Sequence, residues 1–226
     1  MTKRGIVTIA ALVVIAAAVV LAVLLTRPGH EEPDTGPVYT IAIDAGHGGS
    51  DPGANPDGVL EKDINLQIVK IIRDLAADDP ELNVVLIRTL DIFIPLEERI
   101  AKAEEAGAML YVTVHVNSYS GPDPNGVETI VDNTRPRDDD SWILAELIQD
   151  NVVELTGARD RGTRTQESYL QRTAMPAVSI ETGFVTNPEE SAKLVDPEYQ
   201  TLIARGILAG IRQFIEYRYP PEGDSG

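Results

Sequence analysis

No cysteine occurs among the 226 residues. That absence excludes disulfides, a lipid-modified cysteine anchor and any thiolate metal site. Histidine is almost as scarce, with His30, His47 and His115 the only three. Positive charge is also in short supply: setting aside Lys3, Arg4 and Arg27, residues 28–226 hold 16 Lys and Arg against 36 Asp and Glu, a formal charge of −20. Such a surface argues against nucleic acid as a partner, since phosphate binding needs net positive contacts. No internal repeat appears, and no Gly-Lys-Ser/Thr follows a glycine loop, so a nucleotide role is not expected either.

One long apolar run stands out. Residues 5–26 carry no charge and are mostly apolar, and at about 1.5 Å per residue such a helix reaches about 33 Å, enough to span a hydrocarbon core. The run exceeds the usual signal-peptide core and ends Leu24-Leu25-Thr26-Arg27 without a small-x-small cleavage site, which favours an uncleaved anchor. Lys3 and Arg4 in the 1–4 start place that end in the cytoplasm, so the expected location is the cell membrane, single-pass, with the remainder on the extracytoplasmic side. Residues 27–38, rich in Pro, Gly and acid, read as a linker in which His30 is a solvated residue. A single domain over 39–218 and a flexible tail over 219–226 complete the expected organisation.

Within that domain the patterning alternates. The run Tyr39-Thr40-Ile41-Ala42-Ile43 reads as a strand, Leu60 to Leu75 as an amphipathic helix, and Asn83 to Ile87 as a strand. Pro95 to Ala106 reads as a helix, Met109 to His115 and Val127 to Val131 as strands, and Ser141 to Leu155 as a helix. Ala177 to Glu181 makes a last strand, and Pro197 to about Tyr217 a last helix. The expected fold is α/β, a single three-layer domain whose mostly parallel central sheet is covered by helices on both faces. The run Asp138-Asp139-Asp140 is read as a helix start, because EF-hand spacing is missing.

The polar residues fall where such folds bind ligands. His47 sits on the glycine-rich turn Gly46-His47-Gly48-Gly49 after the first strand, and His115 and Glu181 come at the carboxyl ends of two others. A catalytic zinc site commonly takes three ligands from His and carboxylate. Here two histidines are on hand, but spacing does not select the carboxylate among Asp44, Asp51, Glu61, Asp63 and Glu181. Glu61 taken alone reads as a helix-start acid favoured by the dipole. Asn117, two residues after His115, shares its strand face and reads equally as a ligand-orienting or a turn residue. Arg88 with Asp91, and Glu98 or Arg99, read as structural hydrogen-bond or ion-pair partners.

An ordered set of motifs makes the selection. Asp44-Ala-Gly-His47-Gly-Gly-x-Asp-Pro-Gly-Ala54, Leu60-Glu61-Lys-Asp-x-Asn-Leu66, Arg88-Thr-x-Asp91, Leu96-x-x-Arg99, Val114-His115-x-Asn117 and Met175-Pro-Ala-Val-x-x-Glu181-x-Gly-Phe-x-x-Asn187 resemble the zinc-dependent N-acetylmuramoyl-L-alanine amidases. The chain departs from that pattern at Ala45, Val114, Val116 and Thr182. The resemblance implies one Zn²⁺ held by His47, Glu61 and His115, with Glu181 as the catalytic carboxylate. It implies hydrolysis of the amide between N-acetylmuramic acid and L-alanine, with peptidoglycan as substrate; the expected partners are completed by the membrane, through the apolar run over 5–26, and an unidentified activator. Some members of that family insert an inhibitory helix between the second histidine and the catalytic glutamate. The interval is short here, and no such plug is expected.

Overall fold

The computed structural model describes residues 37–220. The expected anchor over 5–26 and most of the linker and tail lie outside the described residues. Among the described residues, no helix is long and apolar enough to cross a membrane.

The elements are β1 (Tyr39–Ala45), α1 (Glu61–Ala76), β2 (Leu82–Leu86), α2 (Leu96–Glu105), β3 (Leu110–Asn117) and β4 (Val127–Asp132). They continue with α3 (Asp140–Thr156), β5 (Asp160–Gln166), β6 (Ala177–Phe184), α4 (Pro188–Leu194) and α5 (Pro197–Arg218). Short 3-10 turns occupy Pro56–Gly58 and Tyr169–Arg172. One six-stranded sheet runs β2-β1-β3-β6-β4-β5. Every neighbouring pair is parallel except β4 with β6, so β4 and β5 run against the other four strands.

The two faces of the sheet differ in cover. On one, Ile41, Ile43, Val112, Val114, Val178 and Ile180 pack with α1, α3 and α5 into the main core. Those helices present apolar residues at helical spacing, such as Ile64, Ile68 and Ile72 on α1. Close packing of α5 on α3 depends on Gly206 and Gly210, where an added Cβ would stand 2.7 and 2.6 Å from the Cα atoms of Val152 and Ile148. On the other face Ala42, Tyr111 and Ala177 pack with Ile100 and Ala103 of α2 and with Leu170 of the second 3-10 turn. The expected helical cover on both faces is therefore uneven: α1, α3 and α5 with the short α4 contribute to the main core on one side, and one helix with a single turn lies on the other.

That single helix leaves the carboxyl ends of β3 and β6 half-open on its face. Beyond it, burial along β3 and β6 alternates, with Val114, Val116, Ile180 and Thr182 buried while His115, Asn117, Ser179 and Glu181 stay half-open. The alternation follows from the two-residue period of a strand, and it leaves a polar shelf at the carboxyl ends of the parallel strands.

Besides the Pro56–Gly58 turn, three elements were not expected. β5, Asp-Arg-Gly-Thr-Arg-Thr-Gln, is an edge strand with no fully buried residue, so no hydrophobic alternation announces it. The short α4 buries only Leu194 and is marked by Asn187, whose side chain accepts from the amides of Glu189 and Glu190. The Tyr169–Arg172 turn likewise starts on a capping residue, Ser168. The acidic run behaves as a helix start, with Asp139 accepting from the Ser141 amide at 2.9 Å.

Candidate metal and catalytic site

His47 occupies an unusual backbone. Its φ is +61°, a left-handed conformation rare for a residue with a side chain. Two buried arginines hold that turn. Arg99 donates from Nη2 to the His47 carbonyl at 2.7 Å and from Nη1 to the Ala45 carbonyl at 2.9 Å, with Nη1 also 2.8 Å from Asp44 Oδ1. Arg88 donates to the carbonyls of Ala45 and Gly46 at 2.8 and 2.9 Å. Carbonyls leaving the end of a strand lose their ladder partners, and guanidinium forks supply replacements. Arg88 does not pair with Asp91; Asp91 instead takes Lys62 Nζ and the Gly49 amide, each at 2.7 Å. The structural reading of these residues stands, but with carbonyls as the main partners.

Glu61 begins α1 and its carboxylate is buried. The Ala54 amide donates to Oε2 at 2.8 Å and the Val116 amide to Oε1 at 3.1 Å. The same Oε1 lies 3.0 Å from His115 Nδ1 and 3.1 Å from His47 Nε2. Asp51 Oδ2, 2.8 Å from His47 Nδ1, turns the imidazole so that Nε2 faces Glu61. The imidazoles stand edge to face, with ring centroids 5.0 Å apart. Gly46 makes room for them: a Cβ there would fall 2.2 Å from His115 Cε1. Sequence reading singled out all three residues of this cluster, and the fold brings them together.

Charge follows from that geometry. Burial works against a charged His47, yet its contacts with Glu61 and Asp51 outweigh that and push its pKa up to about 9. Burial likewise disfavours the Glu61 carboxylate, but hydrogen bonds from His115 and His47 hold it well below the usual carboxylate range.

One donor atom from each of His47, Glu61 and His115 lies within 4.8 Å of the others. Ligand atoms about 2.1 Å from a tetrahedral ion stand about 3.4 Å apart, so separations of 3.0 and 3.1 Å suit a shared cation with little adjustment. Two imidazoles and a carboxylate form a donor set that zinc accepts.

Glu181 lies beside this cluster. It is the direct register partner of His115 across β3 and β6 and of Glu128 across β4 and β6. No hydrogen bond from the described residues reaches its carboxylate, which leaves the lone pairs free. Burial, with the nearby Glu61 and Glu128 carboxylates, raises its pKa to about 7 against the opposing pull of the histidines. Asn117 turns aside from the cluster, and its Nδ2 donates to Glu128 Oε1 at 2.9 Å.

An open cavity of about 360 Å³ runs over His47 and His115, walled by Phe93, Ile94, Leu96 and Tyr169. Phe93 and Leu96 are exposed. Sequence reading did not single out Tyr169 or Phe93, nor Glu128, whose only signal was a carboxylate inside the apolar run Val127-Glu-Thr-Ile-Val131. Helix α3, from the interval between the second histidine and Glu181, packs into the core on the opposite face of the sheet.

The domain is thus a mostly parallel α/β sheet that carries, at its strand ends, a His/Glu/His cluster able to hold a metal ion and a carboxylate free of hydrogen bonds among the described residues. The chain belongs to the N-acetylmuramoyl-L-alanine amidase family of type 3, whose sequence profile matches residues 41–213. It is 40% identical over 172 residues to the N-acetylmuramoyl-L-alanine amidase LytC of Bacillus subtilis, a match covering 76% of this chain and 34% of LytC. The chain thus spans about a third of that relative's length. Among solved structures it resembles an N-acetylmuramoyl-L-alanine amidase from Clostridium difficile, with TM-score 0.77 and 34% identity, over 80% of this chain and 98% of that one. It also resembles the catalytic domain of the amidase CwlV from Bacillus (Paenibacillus) polymyxa, with TM-score 0.74 and 34% identity, over 79% of this chain and 99% of that one.

Proposed function

We propose that this domain hydrolyses the amide joining N-acetylmuramic acid to L-alanine in bacterial peptidoglycan, with one zinc ion held by His47, Glu61 and His115 and with Glu181 as general base. The observation that carries the reading is the convergence of those three donors beside the unbonded carboxylate of Glu181. Family membership supplies the substrate class.

Zinc bound there supplies a Lewis acid that lowers the pKa of water toward about 7 and polarises a carbonyl. The protein does the rest. Asp51 fixes the ring of His47 through Nδ1, and the amides of Ala54 and Val116 fix the carboxylate of Glu61, so the three donors are set before any ion arrives. Glu181 accepts a proton from the attacking water and delivers it to the departing alanine nitrogen, a task suited to a carboxylate with pKa about 7. The apolar wall of Phe93, Ile94 and Leu96 receives the substrate flank and limits water at the reacting carbonyl.

The anchor expected over 5–26 would hold this domain facing the wall from the outer side of the membrane. Fractionation of cells expressing the full chain tests that: recovery in the membrane fraction with protease-accessible residues 39–218 is expected, and recovery in the cytosol would sink it.

Mass spectrometry of defined muropeptides incubated with residues 28–226 tests the activity. Release of an intact stem peptide with a new amino-terminal alanine, stopped by a zinc chelator, is expected. Shortened stem peptides would replace the amidase by a peptidase, and untouched substrate with zinc bound would replace the enzyme by a binding protein.

A further inference from the structure

The row of side chains that carries the chemistry continues past Glu181. Across the open shelf, His115 of β3, Glu181 of β6 and Glu128 of β4 are successive register partners. Glu128 is 7% exposed, and its two oxygens are shared unequally. Asn117 takes Oε1, while Arg161 Nε at 2.7 Å and Arg164 Nε at 3.0 Å both lie on Oε2. Two guanidinium groups thus face the one carboxylate of Glu128 in a chain of formal charge −17.

The two arginines differ in freedom. Arg161 is 23% exposed and its guanidinium stacks over Phe184 with 4.8 Å between Cζ and the ring centroid. Arg164 is 55% exposed, and among the described residues its Nη groups make no hydrogen bond. Only Nε is committed to Glu128, so the outer fork of the guanidinium is held in place yet unfilled. That fork matches a carboxylate in the two-bond geometry arginine favours.

Distance gives the arrangement a substrate. Neighbouring strands are about 4.8 Å apart, which puts the Glu128 row about 5 Å from Glu181 and about 10 Å from His115 along the shelf. In a stem peptide the residue after alanine is a γ-linked glutamate with a free α-carboxylate. With successive Cα atoms 3.8 Å apart, that carboxylate lies at most about 6 Å from the scissile nitrogen. A peptide leaving the metal cluster toward β5 therefore brings its first anionic group to the arginine pair.

Resting on the amidase reading above, we propose that Arg164, positioned by Glu128 and assisted by Arg161, is a specificity-determining residue that binds the α-carboxylate of the second stem-peptide residue. The enzyme then discriminates against stems in which that carboxylate is amidated, because a carboxamide offers no charge and only one acceptor to the fork.

Titration calorimetry on the zinc-loaded protein tests this with two product peptides, L-Ala-γ-D-Glu-L-Lys and its α-carboxamide. The wild type is expected to bind the free carboxylate at least 10-fold more tightly. Arg164→Gln should narrow the ratio to under 2-fold, and Arg164→Lys should restore part of it. Equal binding of the two peptides by the wild type, or an undiminished ratio in Arg164→Gln, would overturn the subsite. Hydrolysis of the matching muramyl peptides is followed in parallel. Failure to release amino-terminal alanine from either one would overturn the amidase reading, while the binding ratio still decides the subsite by itself.

Discussion

Glu128 and Glu181 sit directly opposite one another on β4 and β6, the only antiparallel neighbours in the sheet. Residues so paired have Cβ atoms about 5 Å apart, close enough for one negative charge to disfavour the other. Burial first, and this neighbour among others, hold the Glu181 pKa at about 7. A base works only once deprotonated, so activity should fall as pH drops through that value. Removing the neighbouring charge in Glu128→Gln stabilises the carboxylate form of Glu181, and so do the arginines it releases. We expect the acidic limb of the kcat profile to move down by about half to one pH unit. A limb that stays put or moves up would show that Glu128 does not tune the base.

Glu181→Gln keeps the size of the side chain but cannot accept a proton. Turnover should fall by about 10²–10⁴-fold, while zinc content stays near one per domain, since no donor of the cluster is altered. His115→Ala removes a donor and should lose metal and turnover together. Metal analysis beside muropeptide turnover separates the two. Near-normal turnover in Glu181→Gln would reject its assignment.

What the sequence discloses about the fold depends on burial. β1, β3 and β6 can be read because β-branched and other apolar residues recur along them, with Ile41, Ile43, Val112, Val114, Val178 and Ile180 turned into the main core. β5 escapes because an edge strand with exposed side chains needs no hydrophobic pattern, and α4 because it buries a single leucine. The site divides the same way. His47 and His115 are conspicuous because the domain has no other histidine, whereas Glu61 resembles any acid at a helix start until the ordered motifs select it. Glu128 and the two arginines of β5 become visible only when register is known, since 33 residues separate Glu128 from Arg161.

Gly46→Ala tests the packing of the cluster without touching a donor. The new Cβ would stand 2.2 Å from His115 Cε1, with backbone at Gly46 held by Arg88 and a β3 carbonyl. The imidazole must therefore move. Overpacking of this kind costs about 1–3 kcal/mol, and a displaced ligand ring should weaken zinc affinity by about 10–100-fold. Thermal unfolding and competition with a chelator check the two effects. Wild-type metal affinity in Gly46→Ala would mean that His115 does not need its present position to bind the ion.

Chelated protein should show a pH dependence of its own. In the metal-free cluster His47 gains its proton's partners, Glu61 and Asp51, and its pKa rises from 6.5 to about 9. A group raised on folding stabilises the native state fully below its unfolded value and loses that contribution as pH climbs through the folded one. Stability of the metal-free domain should therefore decline between about pH 6.5 and pH 9, by a total on the order of 1–3 kcal/mol. Denaturant unfolding at fixed temperature measures this, with His47→Gln as the control that should flatten the slope. Because zinc takes the neutral ring, metal uptake near pH 7 should also release the His47 proton, and calorimetry in buffers of different ionisation enthalpy counts it. Stability that rises over this interval in the wild type, or a slope unchanged in His47→Gln, would show that His47 is neutral in the metal-free protein.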